Sequence, residues 1–171
     1  MKDYKHECPL IDISLLPLSQ GKYAIVDSCD WDDLSQWKWF AGETYSGYRP
    51  ARNIKIGEKR TILRIHRYIT GAPDGMVVDH INHNTLDNRR CNLRVCTSAQ
   101  NSQNMISGVG VSRYKGVTWN RRDKKWMAQI QYNGKKKNLG YYDYEGDAAD
   151  AYNKSATKMF GEYALLNQIG D

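Results

Sequence analysis

Long apolar runs are missing from this 171-residue chain. None approaches the roughly 20 consecutive apolar positions that a membrane-spanning helix needs, so no membrane partner is expected. The opening Met1-Lys2-Asp3-Tyr4-Lys5-His6-Glu7 lacks the charged-then-apolar order of a secretory signal, and a cytoplasmic protein is expected. Cysteine is scarce: Cys8, Cys29, Cys91 and Cys96 include no C-x2-C pair, which argues against a closed structural zinc site. Free thiols are the expectation in a reducing compartment. Phenylalanine occurs only twice, but five Trp and twelve Tyr supply aromatic bulk enough for compact cores. The length accommodates one large or two small domains.

Acidic residues are also sparse in two stretches. Residues 1–40 carry four Lys/Arg against seven Asp/Glu, but residues 49–106 carry ten against four and residues 113–138 nine against one. A gradient this steep points to a polyanion, because cations that neutralise phosphates release counterions. A merely solvated basic face is the plain alternative.

Local patterns organise the chain. Lys22-Tyr23-Ala24-Ile25-Val26-Asp27 reads as a strand, and Asp30 to Trp37 as a helical turn. Trp37-Lys38-Trp39-Phe40 and Tyr48-Arg49-Pro50-Ala51-Arg52-Asn53 read as strands around a glycine-containing turn. Arg60-Thr61-Ile62-Leu63 leads into a helix over residues 64–70, ended by Gly71 and Pro73. Trp31, Trp37 and Trp39 are expected in a core. This region is scaffold, with Arg49, Arg52 and Lys55 as possible DNA contacts. Residues 76–106 are polar and turn-rich, and Ser107-Gly108-Val109-Gly110 reads as a flexible linker. Three strands follow, at residues 116–119, 126–132 and 136–140, with Asn133-Gly134 as a hairpin signal between the last two. A helix over residues 145–160 presents a mostly small stripe of Ala148, Ala149, Ala151, Tyr152, Ala156, Met159 and Phe160.

Chemistry concentrates in Val77-Val78-Asp79-His80-Ile81-Asn82-His83-Asn84, then Asp87-Asn88-Arg89-Arg90-Cys91-Asn92-Leu93-Arg94, then Asn101 and Asn104. Phosphodiester hydrolysis needs a base for water, an electrophile for the developing charge, and a positioned backbone. A histidine can be the base near neutral pH. A carboxylate and an amide carbonyl are hard-oxygen ligands suited to magnesium or manganese. Asp79 and His80 offer ligand and base on adjacent residues, and Asn101 a second oxygen. Arg89, Arg90 and Arg94 are candidate phosphate clamps, with plain solvation as their alternative. Asp87-Asn88 reads as a turn or N-cap. His83 reads as a solvent-facing loop residue rather than a ligand. His66 reads as structural, with a phosphate contact as the alternative.

The Asp-His pair, with Asn twelve residues on and another nine further, resembles the HNH nucleases, in particular phage and intron-encoded homing endonucleases, over about residues 64–104. That resemblance implies a ββα-metal finger with His80 as general base and Asp79 and Asn101 holding one divalent ion. Asn92 would sit in the finger loop and support His80 by hydrogen bonding. Asn101 stands where many members have His, which favours Mg2+ or Mn2+ over softer metals. It further implies double-stranded DNA as partner, a phage- or bacterium-like host cell, no obligate protein partner, and a monomer or dimer.

Arg113-Tyr114-Lys115-Gly116-Val117, Lys125-Trp126-Met127-Ala128-Gln129-Ile130 and Leu139-Gly140-Tyr141-Tyr142-Asp143 resemble, over about residues 112–167, the DNA-binding domain of plant ethylene-response factors (AP-two type). In that family a three-stranded sheet lies in the major groove, braced by the helix. Strand alternation turns Trp126, Ala128, Ile130 and Leu139 inward, and Met127, Gln129, Gln131, Lys136 and Asn138 outward. Lys115, Thr118, Asn120, Arg121 and Arg122 are the candidate contacts of the first strand and turn. Gln129 and Gln131 stand where acidic and Arg residues are usual, so the plant target sequence does not carry over. Binding of backbone alone is the alternative to base reading.

The expected fold class is α+β: an HNH nuclease domain over residues 1–106 with its finger at 64–106, a linker at 107–111, and a βββα domain at 112–168. The expected activity is metal-dependent DNA cleavage of the homing kind. A non-catalytic DNA-binding regulator is the rival, and an RNA-binding module a weaker third reading.

Overall fold

The computed structural model describes residues 12–45, 47–105 and 111–170. The opening residues 1–7, Cys8 and the linker residues 107–110 lie outside the described residues. The chain divides into two compact units, Met1–Ser98 and Ala99–Asp171.

In the first unit, β1 (Ile13–Pro17) and β2 (Tyr23–Asp27) form an antiparallel hairpin. Period-two alternation buries Leu16, Ala24 and Val26 and leaves Ile13 and Leu15 in solvent. A single helical turn, α1 (Trp31–Leu34), adds Leu34 to the interior. Three antiparallel strands follow in sequence order, β3 (Phe40–Thr44), β4 (Gly47–Ile56) and β5 (Lys59–Arg64). Strand β5 runs straight into α2 (Ile65–Thr70). Gly71 ends that helix at φ +59°, where its N–H donates to the Arg67 carbonyl at 3.0 Å. The Arg67 guanidinium then binds the carbonyls of Met76, Ala72 and Pro73, fixing the path into β6 (Val77–His80). Strand β6 pairs antiparallel with β7 (Leu93–Cys96) across a loop of residues 81–92.

Leu16, Ala24, Val26, Leu34, Trp39, Ile65, Ile69 and Leu93 form one core, with Val78 packed against it. The β6–β7 hairpin is thereby mounted on both the first hairpin and α2. Two sequence expectations shift. Residues 60–63 belong to strand β5 rather than to a lead into the helix, since they pair with β4. Trp37 was expected in the core but is 45% exposed. Trp39 takes the interior instead, donating from Nε1 to the Leu34 carbonyl at 2.9 Å, while the Arg52 guanidinium lies 3.9 Å from the Trp37 ring centroid.

The second unit contains most of α3 (Ser98–Gln103), then β8 (Val117–Asn120), β9 (Lys125–Tyr132), β10 (Lys135–Tyr142) and α4 (Glu145–Phe160). Strand β9 is central in this antiparallel sheet. Asn133 and Gly134, at φ +49° and +75°, make the tight turn from β9 to β10. Ala148, Ala149 and Ala156 are fully buried, so α4 seats closely on Val117, Ala128 and Ile130. Close approach also explains Gly116: a Cβ there would lie 2.1 Å from Tyr152 Cδ2, and its φ is +75°.

Candidate active site

The end of β6 carries Asp79 and His80, and the register sets Asp79 opposite Arg94 and His80 opposite Leu93. Both residues are 7% exposed. Cross-strand pairing lets Arg94 donate from Nε and Nη2 to Asp79 Oδ2 at 2.9 and 2.6 Å, which neutralises a carboxylate that burial would otherwise penalise.

The loop of residues 81–92 has little regular structure, so side chains meet its backbone groups. Asn82 and Asn84 accept from the N–H groups of Asn84 and Leu86 through Oδ1, at 2.9 and 3.1 Å. Asn92, 5% exposed, accepts from the Asn82 N–H at 2.9 Å and donates to the Asp87 carbonyl at 2.7 Å. The Asn92 carbonyl also accepts from the Ile81 N–H at 2.9 Å. Asn92 therefore shapes the backbone on either side of the loop. Asp87 is 2% exposed and receives Asn82 Nδ2, Arg89 Nε and Arg89 Nη2 at 2.8, 2.8 and 2.7 Å. Burial pushes its carboxyl up, but the hydrogen bonds from Arg89 and Asn82 outweigh that and hold it below the usual range.

The His80 ring lies between two neighbours. Asn88 Oδ1 is 3.3 Å from its Nε2, and the His66 ring stands edge to face with it, centroids 5.3 Å apart at 87°. Asn88 is fully buried and tied to β2, where its N–H donates to the Ile25 carbonyl at 2.7 Å and the Leu86 carbonyl accepts from the Ile25 N–H at 2.8 Å. Burial lowers the His80 pKa, opposed by the Asn88 hydrogen bond and reinforced by Arg49, so the ring is neutral at physiological pH. His66, 4% exposed, is pushed down to about 3, first by burial and then by His80 and nearby Arg49, Arg64 and Arg67.

The three arginines proposed from sequence as phosphate clamps all meet carboxylates: Arg94 on Asp79, Arg89 on Asp87, and Arg90 on Asp30 at 3.0 and 2.6 Å. Among them Arg89 keeps the most exposed side chain, at 30%. His83 is exposed in the loop at φ +64°. Asn101 lies half-buried on α3, within the second unit. Among the described residues no three His, Cys, Asp or Glu side chains gather as a metal-holding set.

In the second unit, Lys136 pairs with Gln131, Asn138 with Gln129, and Thr118 with Met127, so these side chains share the sheet face opposite α4. Asn138 Oδ1 also accepts from the Gly140 N–H at 2.9 Å, across a register shift. Asn120 serves its own turn, donating to Asp123 at 2.8 Å and accepting from the Arg122 N–H at 3.0 Å. Arg121 is exposed, and Arg122 pairs with Asp123 at 2.9 Å. Lys115 is turned inward, its Nζ on the carbonyls of Gln103 and Met105 at 2.5 and 2.8 Å, and burial lowers its pKa to about 8.

Asn88 reads from the sequence only as turn or N-cap chemistry and His66 as structural; their contacts with the His80 ring emerge in the fold. A spacing of eight residues from His80 to Asn88 was the available signal, but it reads equally as turn chemistry.

Comparison with known proteins bears on the same region. Residues 64–103 match the HNH endonuclease family. An uncharacterized HNH endonuclease of Acanthamoeba polyphaga mimivirus is 32% identical over 166 residues, covering 94% of this chain and 82% of the relative. Protein 3.8 of Escherichia phage T7 is 29% identical over 93 residues, 54% of this chain and 76% of that protein. An AP2-like ethylene-responsive transcription factor of Arabidopsis thaliana is 43% identical over 61 residues, 35% of this chain but only 13% of the factor. Among the described residues no helix is long and apolar enough to cross a membrane. The buried Asp-His pair at the end of β6 thus sits inside the matched segment, and with a relative aligned over nearly the whole length the chain belongs to the HNH endonucleases.

Proposed function

We propose that the chain is a metal-dependent endonuclease of the homing or mobile-element kind that hydrolyses phosphodiester bonds in double-stranded DNA. The observation carrying this reading is His80, buried and hydrogen-bonded to Asn88 beside Asp79 on the β6–β7 hairpin. His80 takes a proton from water as the water oxygen attacks phosphorus. The phosphorus–oxygen bond to the leaving strand end then breaks, the leaving oxygen gains a proton from solvent, and His80 returns its own to solvent. Asn92 acts on the loop backbone around the base.

By donor chemistry Asp79 fits one divalent ion of the Mg2+ or Mn2+ class, being an anionic hard-oxygen donor held on a strand, and the amide oxygen of Asn101 is a donor of the same hard class. Arg94 shares Oδ2 of Asp79, so it either yields to the ion or stays beside it. Such an ion would stabilise charge on the phosphate and the leaving oxygen.

The second unit would serve as the DNA anchor, a βββα module using Thr118, Gln129, Gln131, Lys136 and Asn138 on its sheet face and Arg121 and Arg122 in the turn. Support comes from the shared face of these side chains and the partial likeness to the plant factor. Arg89, with its partly exposed guanidinium, is the stronger of the finger-side phosphate contacts; Arg90 and Arg94 would have to loosen their carboxylate partners. Lys115 would brace its own unit rather than reach phosphate.

The decisive test is plasmid cleavage with Mg2+, with chelator, and with His80→Ala. Cleavage should need the ion and fall at least about 100-fold in the variant, while DNA affinity changes little. Retained ion-dependent cleavage in His80→Ala would remove His80 as the base.

A further inference from the structure

Which nitrogen of His80 is the base can be read from Asn88. A terminal amide can be turned either way, so its orientation has to come from its partners. Here Asn88 Nδ2 faces the Thr85 carbonyl at 3.2 Å. A carbonyl only accepts, so the nitrogen end belongs there and the oxygen end faces His80 Nε2 at 3.3 Å. Oδ1 likewise only accepts, so the hydrogen of that bond sits on Nε2. A neutral imidazole has one N–H, which leaves the lone pair on Nδ1.

The surroundings keep that arrangement in place. Asn88 is fully buried, and its backbone N–H is fastened to Ile25 on β2, outside the finger hairpin. The His66 ring, 4% exposed and edge to face with His80, limits rotation of the imidazole. Asn92 makes its bonds to the loop backbone at Asn82 and Asp87. Orienting the ring and shaping the loop are thus divided between two asparagines.

We infer that Asn88 is a positioning residue for strand cleavage: it holds His80 as the Nε2–H tautomer, so that Nδ1 is the atom that takes the proton from water. This rests on the proposed role of His80 as base, and the test separates the two. Histidine side-chain nitrogens are labelled in the full-length protein, where only four histidines occur, and His80 is assigned by the signal missing in His80→Ala. One-bond and long-range nitrogen–proton correlations then report the tautomer directly, without metal or DNA. In the wild type the proton should be on Nε2. In Asn88→Leu that preference should disappear and kcat on plasmid should fall about 10- to 100-fold, the usual range for losing a partner that orients an imidazole, with KM unchanged. Asn88→Asp, which keeps an oxygen acceptor, should keep the tautomer and recover part of the lost kcat.

A proton on Nδ1 in the wild type would overturn the inference even if Asn88→Leu failed to fold. So would an Asn88→Leu protein with the wild-type tautomer and kcat within twofold. Cleavage surviving in His80→Ala would instead strike the base assignment and leave the tautomer result to stand by itself.

Discussion

At the residue scale the finger is organised around buried polar side chains, several of them bonded within the protein, while His66 Nδ1 is buried with no hydrogen-bond partner among the described residues. Two of these are neutral histidines, and that has a thermodynamic consequence. The His66 pKa drops from 6.5 to about 3 on folding, chiefly through burial, and that of His80 drops as well. A depressed imidazole binds fewer protons folded than unfolded below pH 6.5, so stability must rise with pH across the window from about 3 to 6.5 and be fully present above it. One such group contributes a slope of up to about 1.4 kcal/mol per pH unit. Urea unfolding at pH 7, 6 and 5 should show that loss toward acid, and His66→Leu should flatten it by about one group's worth whatever its own stability. An unchanged slope in the variant would mean that His66 is not buried neutral. The pair Asp79-His80 was legible from sequence because its chemistry is unusual. Asn88 was not, because its amide meets His80 Nε2 only once the Ile25 carbonyl of β2, distant in the chain, fastens its backbone.

Elements show a similar division between what alternation reveals and what pairing decides. The inward and outward residues of β9 could be read directly, since Ala128 and Ile130 are small or apolar and their neighbours Gln129 and Gln131 are not. The strand β5 hid behind a basic, β-branched stretch that borders a helix, and only its partner β4 settles it. Trp37 shows the converse, a large aromatic whose partner is the flat face of an arginine. On the β9–β10 face, Gln129 beside Asn138 offers paired donors and acceptors of the kind that bond adenine edges. Gln129→Ala should lower affinity for the preferred DNA sequence by about 1–3 kcal/mol and leave affinity for random DNA nearly unchanged. Competition binding against random duplex measures the difference. Equal losses on both DNAs would show that the sheet holds backbone only.

For the molecule as a whole, charge and chemistry are allotted to different stretches of chain. Residues 113–138 carry a net charge of +8 from nine cations against one acid, whereas the finger arginines are met by Asp79, Asp87 and Asp30. Cations already paired with carboxylates release few counterions on meeting phosphate, so the salt dependence of binding should come mainly from the second unit. Each phosphate contact contributes about −0.9 to the slope of log affinity against log salt on duplex DNA. Replacing Arg121, Arg122 and Lys136 together by Gln should therefore flatten the slope by about 2 to 3. Arg122 counts in full because its pairing with Asp123 is exposed and weak. Cleavage at saturating DNA should be unaffected, because none of these side chains belongs to the β6–β7 hairpin. A triple variant with the wild-type salt slope would move the anchor elsewhere, and one that binds normally but cleaves slowly would show that the anchor also sets the position of the scissile phosphate.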